Sequence, residues 1–298
     1  MHYDVEFSSS GNTCAGRLYV PESAPRGRAI VLAHGLGGTA DTGLYEMAAG
    51  FCAHGFHALV FDYRNFGNSG GRQRQYISVP MQRDDWRAAI DYVCGLEDVN
   101  ADRVGLWGYS FSGGHVLYMA CENTCVGAVV AQAPNIDMHL TNVLGDLWRG
   151  EKATKTLAKH VSKDLWRVIT GRTTGFVQIV PGDGPEPVVL NAPEAGEYLK
   201  LAGQSFENRI STSSFISGQL TQNNPTDLSD TLRTPTLIQL GTRDEIVPAE
   251  PIHTLVRRCG PHVRASGYDC HHFGMLGARL RSRAIDEAAD HYIRYLMS

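Results

Sequence analysis

Val104-Gly-Leu-Trp-Gly-Tyr-Ser-Phe-Ser-Gly-Gly114 joins a strand pattern to a helix pattern through a turn of small residues. A short apolar strand runs into Gly108-Tyr109-Ser110-Phe111-Ser112, and a helical pattern starts near Gly113. A strand that reverses into a helix over so few residues holds its central residue in a strained backbone conformation. It also needs small neighbours on both sides, so that strand and helix do not collide. Such a turn lifts the Ser110 hydroxyl out at the carboxyl edge of a sheet, over the positive end of the next helix. Ser112 fills the last position of the G-x-S-x-G pattern, where Gly is usual, and is small enough to serve. Glycine-rich strand-to-helix turns also occur without a nucleophile, so the flanking chain has to decide.

On the amino-terminal side, residues 3–7 and 14–20 read as two exposed strands joined by Ser8-Ser-Ser-Gly-Asn12. Arg28–Ala33 is a continuous apolar run, as expected of a strand covered on both faces, and ends in His34-Gly-Leu-Gly-Gly38. Leu44, Met47, Ala48, Phe51 and Cys52 fall at helical spacing, with Gly55 as the stop. His57–Phe61 is the next strand and ends in the polar loop Asp62–Gly71. Trp86, Ala89, Ile90 and Val93 mark a helix that tolerates Pro80 in its first turn. After the Ser110 strand and helix, Val126–Ala131 is one more buried strand. This alternation predicts an α/β fold: a mostly parallel sheet of eight strands with helices on both faces.

The alternation stops near Asn135 and resumes at Pro235–Leu240, which leads into Gly241-Thr-Arg-Asp-Glu-Ile-Val-Pro248. The stretch between is too long for a plain loop and carries Trp148, Trp166, Phe176, Phe206 and Phe215. It reads as a mainly helical cap inserted after the sixth strand, over residues 135–232, with its aromatics mostly core. Residues 1–134 and 233–298 form the core domain. A weaker strand at Val263–Tyr268 ends in Asp269-Cys-His-His-Phe-Gly274. A closing helix places Ile285, Ala288, Ala289, Tyr292, Ile293 and Leu296 on one face.

A net charge of -4 gives no basis for binding nucleic acid or an anionic membrane. No apolar run approaches the roughly 20 residues of a membrane helix, and Met1–Phe7 lacks the features of a signal peptide. Seven cysteines, an odd number without CxxC, point to reduced thiols in a cytoplasmic protein. The histidines lack metal-ligand spacing, so no metal is expected. The glycines of His34–Gly38 lack the residues of a phosphate loop, so no nucleotide or other cofactor is expected.

Ser110, Asp244 and the His271/His272 pair all follow predicted strands, in that chain order. Ligands of open α/β sheets sit beyond these strand ends. A serine hydroxyl becomes a nucleophile when a base takes its proton, and an acid must hold that base in one tautomer. His34-Gly35, Asp62-x-Arg64-x-x-Gly67-x-Ser69, the Gly108–Ser112 elbow, Gly241-x-x-Asp244-x-x-Val247-Pro248 and His272-Phe273 together resemble the α/β-hydrolases over nearly the whole chain. Gly108–His115, the Ala131–Pro134 run and the Pro/Gly-rich segment at 181–187 are similar to a bacterial esterase- and peptidase-like branch, to which fungal polyketide-processing hydrolases are related.

The resemblance implies Ser110 as nucleophile, Asp244 as acid and His272 as general base, with the backbone N–H groups of Leu36 and Phe111 as the oxyanion hole. Glu245 is the rival acid and His271 the rival base. His34 is expected to stabilise its turn, His115 to be a packed histidine, and Arg64 and Ser69 to brace their loop. The expected activity is hydrolysis of a carboxylic ester, thioester, lactone or amide of a small-molecule acyl substrate. The alternatives are an acyltransferase, a lyase or carbon–carbon bond hydrolase on the same triad, and a non-catalytic receptor. A homodimer is left open.

Overall fold

The computed structural model describes residues 1–22, 27–170, 172, 174–216 and 225–296; the side chains of 138–149 and 225–227 also lie outside the described residues. Strands His2–Ser9 (β1) and Asn12–Tyr19 (β2) form an antiparallel hairpin with His2 opposite Tyr19 and Ser9 opposite Asn12. The fully apolar runs become the inner strands. In chain order these are Gly27–Ala33 (β3), helix Leu44–Ala53 (α1), His57–Phe61 (β4), helix Val79–Cys94 (α2), Val99–Tyr109 (β5), helix Phe111–Glu122 (α3) and Val126–Gln132 (β6). Helix α2 starts where the Ser78 hydroxyl caps the Met81 N–H and Pro80 occupies the first turn. It buries Trp86, Ala89, Ile90 and Val93.

After β6 come helix Met138–Ile169 (α4), kinked at Gly150, and the short strand Phe176–Val177 (β7). Then follow Glu197–Leu201 (α5), Ile210–Ser211 (β8), Ser213–Ile216 (α6) and a 3-10 turn at Pro225–Asp230. Among the described residues of this stretch the long helix lies in its first part, and from Phe176 short helical segments alternate with turns and with the antiparallel pairing of β7 with β8. Trp166 departs from the expectation that the aromatics here are core: it is 57% exposed, with the Arg172 guanidinium over its ring. Trp148 lies among the side chains outside the description. Thr236–Gly241 (β9), Ala249–Cys259 (α7), Val263–Tyr268 (β10) and Ala278–Leu296 (α8) complete the chain.

The main sheet has eight strands in the order β1-β2-β4-β3-β5-β6-β9-β10, antiparallel at the β1/β2 and β2/β4 pairs and parallel elsewhere. The chain leaves β3 toward β4 on one side and returns to pair β5 on the other. The carboxyl ends of β3 and β5 therefore flank the point where the winding reverses, the position where open α/β sheets bind ligands. Helix α8 packs Ile285, Ala288, Ala289, Tyr292 and Leu296 inward, and the Tyr292 hydroxyl donates to the Leu106 carbonyl at 2.6 Å. Ile293 is not part of that face. It is 38% exposed, because one further residue of helix turns about 100° away from Tyr292.

The loop after β4 is braced from beneath. The buried Arg64 guanidinium pairs with Asp85 at 2.7 Å and reaches Ser9 Oγ at 2.7 Å, while the Asp85 carboxylate also accepts the Arg64 N–H. Ser69 Oγ donates to the Asp62 carbonyl and accepts the Ala15 N–H, tying the loop to β2. Asp62 itself accepts the N–H groups of Ala40 and Asn68, yet burial raises its carboxyl to about 6.

Two measurements check this bracing. Asp85→Ala strands a buried guanidinium and is expected to cost about 3–5 kcal/mol in chemical denaturation; a loss under about 1 kcal/mol would contradict it. A folded-state value above the ordinary 3.8 means that protonated Asp62 favours the fold fully below about 3.8. That contribution is lost as pH rises through about 6. Carbon-13 titration of the Asp62 carboxyl should have its midpoint near 6; a midpoint at or below about 4 would contradict the account.

Candidate active site

The turn after β5 holds Ser110 at φ 54° and ψ -112°, a conformation that costs a side-chain-bearing residue about 1–3 kcal/mol. Its surroundings fix it there: the Ser110 N–H donates to the Gln132 carbonyl and the Ser110 carbonyl accepts the Asn135 N–H, both at 2.9 Å. The tightness of the turn excludes side chains beside it. A Cβ at Gly108 would lie 2.3 Å from the Ser112 carbonyl oxygen, and one at Gly113 would lie 2.6 Å from Pro134. Phe111 opens α3, so its backbone N–H belongs to the first turn of that helix.

His272, four residues beyond β10, is 1% exposed. Its Nδ1 lies 2.6 Å from Asp244 Oδ2 and its Nε2 lies 2.9 Å from Ser110 Oγ. A carboxylate only accepts, so Nδ1 carries the hydrogen and Nε2 is left to accept the serine proton. The other oxygen of Asp244 accepts the Ile246 and Val247 N–H groups, each at 2.9 Å, which holds the carboxylate in the plane it needs. The rings of Tyr109 and Phe273 pack against His272 with centroids 5.3 and 5.0 Å away. The serine is 9% exposed, so the hydroxyl is sheltered from bulk water.

The rival residues point elsewhere. Glu245 is exposed, and its N–H donates to Glu194 at 2.9 Å. His271 is among the residues around a surface cleft, with Arg243, Phe273 and Ala278, and its buried Nδ1 has no hydrogen-bond partner among the described residues, Asp244 included. His115 is fully buried, with Nε2 2.9 Å from Gln82 Oε1, and burial holds its ring well below the usual imidazole range.

The turn after β3 lies against the serine. Ala33 is paired with Gly108 across the β3/β5 ladder, so the two turns leave the sheet side by side. A Cβ on Gly35 would fall 3.1 Å from Ser110 Cβ and 3.2 Å from Tyr109, a close approach suited to glycine. The Gly35 carbonyl accepts the Gly38 N–H at 3.2 Å and lies 3.0 Å from His34 Nδ1. Burial lowers His34 to about 4, so its ring is neutral near pH 7 and donates from Nδ1. Leu36 stands at the half-buried tip of this turn.

Sequence reading treated Ser112 as a tolerated substitute for glycine, but its hydroxyl has partners of its own. Ser112 Oγ donates to the His34 carbonyl at 2.6 Å and accepts from Tyr63, whose oxygen accepts the Trp86 indole N–H at 2.7 Å. An indole only donates and a carbonyl only accepts, so the chain runs one way, from Trp86 through Tyr63 and Ser112 to His34. It ties α2, the β4 loop and α3 to the end of β3. The departure from glycine at position 112 was the one visible signal of it.

Residues 24–270 match the family model for serine aminopeptidase, S33. The chain is 30% identical over 292 residues to the quorum-quenching protein AidA of Acinetobacter baumannii, covering 96% of this chain and 93% of that one. It is 30% identical over 214 residues to the polyketide transferase grgF of a Penicillium species, covering 71% and 69% of the two chains. The crystal structure of the α/β hydrolase GrgF from Penicillium sp. sh18 aligns over 100% of both chains with a TM-score of 0.83 at 24% identity, a likeness of fold. On the match across most of its length, and on the sheet and strand-end turns described above, this chain belongs to the serine aminopeptidase S33 family of α/β-hydrolases.

Proposed function

We propose that this protein is a serine hydrolase that cleaves a carboxylic ester, thioester or lactone of a small organic molecule. The reading rests above all on the continuous relay Ser110–His272–Asp244, with spacings of 2.9 and 2.6 Å. In the proposed reaction Ser110 Oγ attacks the substrate carbonyl while His272 Nε2 takes its proton. Negative charge gathers on the carbonyl oxygen, facing the N–H groups of Leu36 and Phe111. Fixed donors of this kind contribute about 3–4 kcal/mol each. His272 then returns the proton to the leaving alcohol or thiol as the tetrahedral centre collapses to an acyl-enzyme. A water molecule gives its proton to His272, attacks the acyl carbon and releases the acid, and the proton returns to Ser110.

Residues 135–232 act in this reading as a cap, with 1–134 and 233–298 as the catalytic core. Ile179 and Ile210 support that assignment, because their side chains take the space beside Gly37 of the turn after β3, where a Cβ would lie 2.5 Å from Ile179 and 3.4 Å from Ile210. A reducing, cytoplasmic setting fits the seven cysteines, all of them free thiols. A second reading, transfer of the acyl group to an alcohol or thiol in place of water, is favoured by the relative named as a polyketide transferase. Product analysis with and without such an acceptor separates the two.

Three variants test the relay. Ser110→Ala is expected to abolish labelling by a fluorophosphonate probe, and persistent labelling of that variant would refute the assignment. Asp244→Asn should fold normally and lose about 10³- to 10⁴-fold in kcat, because the base loses its fixed tautomer. His272→Ala should cost far more ester turnover than His271→Ala; the reverse order would move the base to His271.

A further inference from the structure

We propose that Tyr198, contributed by the stretch between β6 and β9, is a positioning residue that fixes the Leu36 end of the oxyanion turn through its hydroxyl. The inference rests on the proposed hydrolase reading and deepens it. Tyr198 lies in α5, and its phenol oxygen donates to the Leu36 carbonyl at 3.3 Å. Burial pushes the phenol above its ordinary range, so it stays a donor across the working pH.

Three consecutive carbonyls of the turn are thereby held. His34 O receives Ser112, Gly35 O receives Gly38 N–H and His34 Nδ1, and Leu36 O receives Tyr198. The first bond comes from α3 and the next two from within the turn itself, and together they fix the peptide planes on the amino-terminal side of the Leu36 Cα. The plane on its other side is set by Tyr198. The Leu36 N–H rides on the Gly35–Leu36 peptide. Holding the next peptide through the Leu36 carbonyl opposes a concerted rotation of the two that would turn the N–H away from the developing charge.

The ring is equally constrained. It stacks on Phe273 at 5.1 Å and 19°, and meets Phe206 edge-on at 5.3 Å. Phe273 follows the proposed base directly in sequence, and its ring packs against His272. One side chain from outside the sheet thus touches both the oxyanion turn and the loop that carries the base. The phenol oxygen also sits where a Cβ on Gly38 would lie 2.4 Å away, so a side chain there would displace the tyrosine hydroxyl.

The test uses the full-length protein with p-nitrophenyl acetate and its thiono analogue, in which sulfur replaces the carbonyl oxygen. Sulfur is larger and a weaker acceptor, so a rigid hole built for oxygen discriminates against it and a loosened one discriminates less. Tyr198→Phe keeps the ring and removes only the hydroxyl. It should lower kcat for the oxygen ester roughly five- to tenfold with KM within about twofold, the size of one neutral hydrogen bond. The oxygen-to-sulfur rate ratio should narrow by a comparable factor. Phe206→Leu, which loosens the same packing and leaves the hydroxyl, should lower the melting temperature and keep that ratio.

Unchanged kcat and ratio in Tyr198→Phe, or the same narrowing in Phe206→Leu, would overturn the proposal. The two failures are separable. Wild-type protein that resists fluorophosphonate labelling removes the hydrolase reading along with this one, whereas labelled wild type with an unaffected Tyr198→Phe removes only this one.

Discussion

The parallel pairing of β3 with β5, with Ala33 opposite Gly108, is the constraint from which the rest of the site follows. A shift of this register would turn the side chains of β5 to the other face and carry Ser110 away from the His34–Gly38 turn. With the register fixed, two backbone turns leave one edge of the sheet at adjacent strands. Gly35 permits the approach of one turn to the other, since a Cβ there would crowd Ser110 at 3.1 Å. The reversal of winding at β3 keeps this edge open, because the crossover helices diverge to opposite sides of it.

Strain at Ser110 is maintained by what surrounds it. The turn stays at a positive φ because both flanking backbone groups are hydrogen-bonded and the glycines on either side leave nowhere else for it to go. The one-way chain of donors from Trp86 to the His34 carbonyl adds a side-chain bond between the two turns, in a fully buried place where an unpaired hydroxyl would be costly. Asp244 is handled in the same manner. Two backbone N–H groups hold one carboxylate oxygen, which leaves the other for the imidazole.

Much of this was legible in the residues because it is written in short-range signals. The apolar runs at Ala29–Ala33, Ala58–Phe61 and Val104–Trp107 are short and end in glycine-rich or polar turns, as doubly covered strands do, and they are buried throughout. Between the adjacent histidines the residues alone left a choice, and the resemblance to the α/β-hydrolases favoured His272, the ring that meets Asp244. Periodicity failed where the question was which neighbour covers a face. Ile293 shares a helix with buried residues and is itself at the edge of the stripe, while Trp166 lies on a helix surface that no other described element covers well. Tyr198 was out of reach for a different reason: its partner Leu36 is 162 residues away, and the stretch that carries it has no repeating pattern.

In the proposed reaction Ser110 is the nucleophile, and the oxygen of the group bound to it rests between the Leu36 and Phe111 amides. A crystal structure of the protein after reaction with a small fluorophosphonate tests it most directly. The account predicts phosphorus bonded to Ser110 Oγ, with its free oxygen within about 3.1 Å of both the Leu36 and the Phe111 nitrogen. Phosphorus on any other side chain, or an oxygen on Ser110-bound phosphorus that faces neither amide, would contradict it.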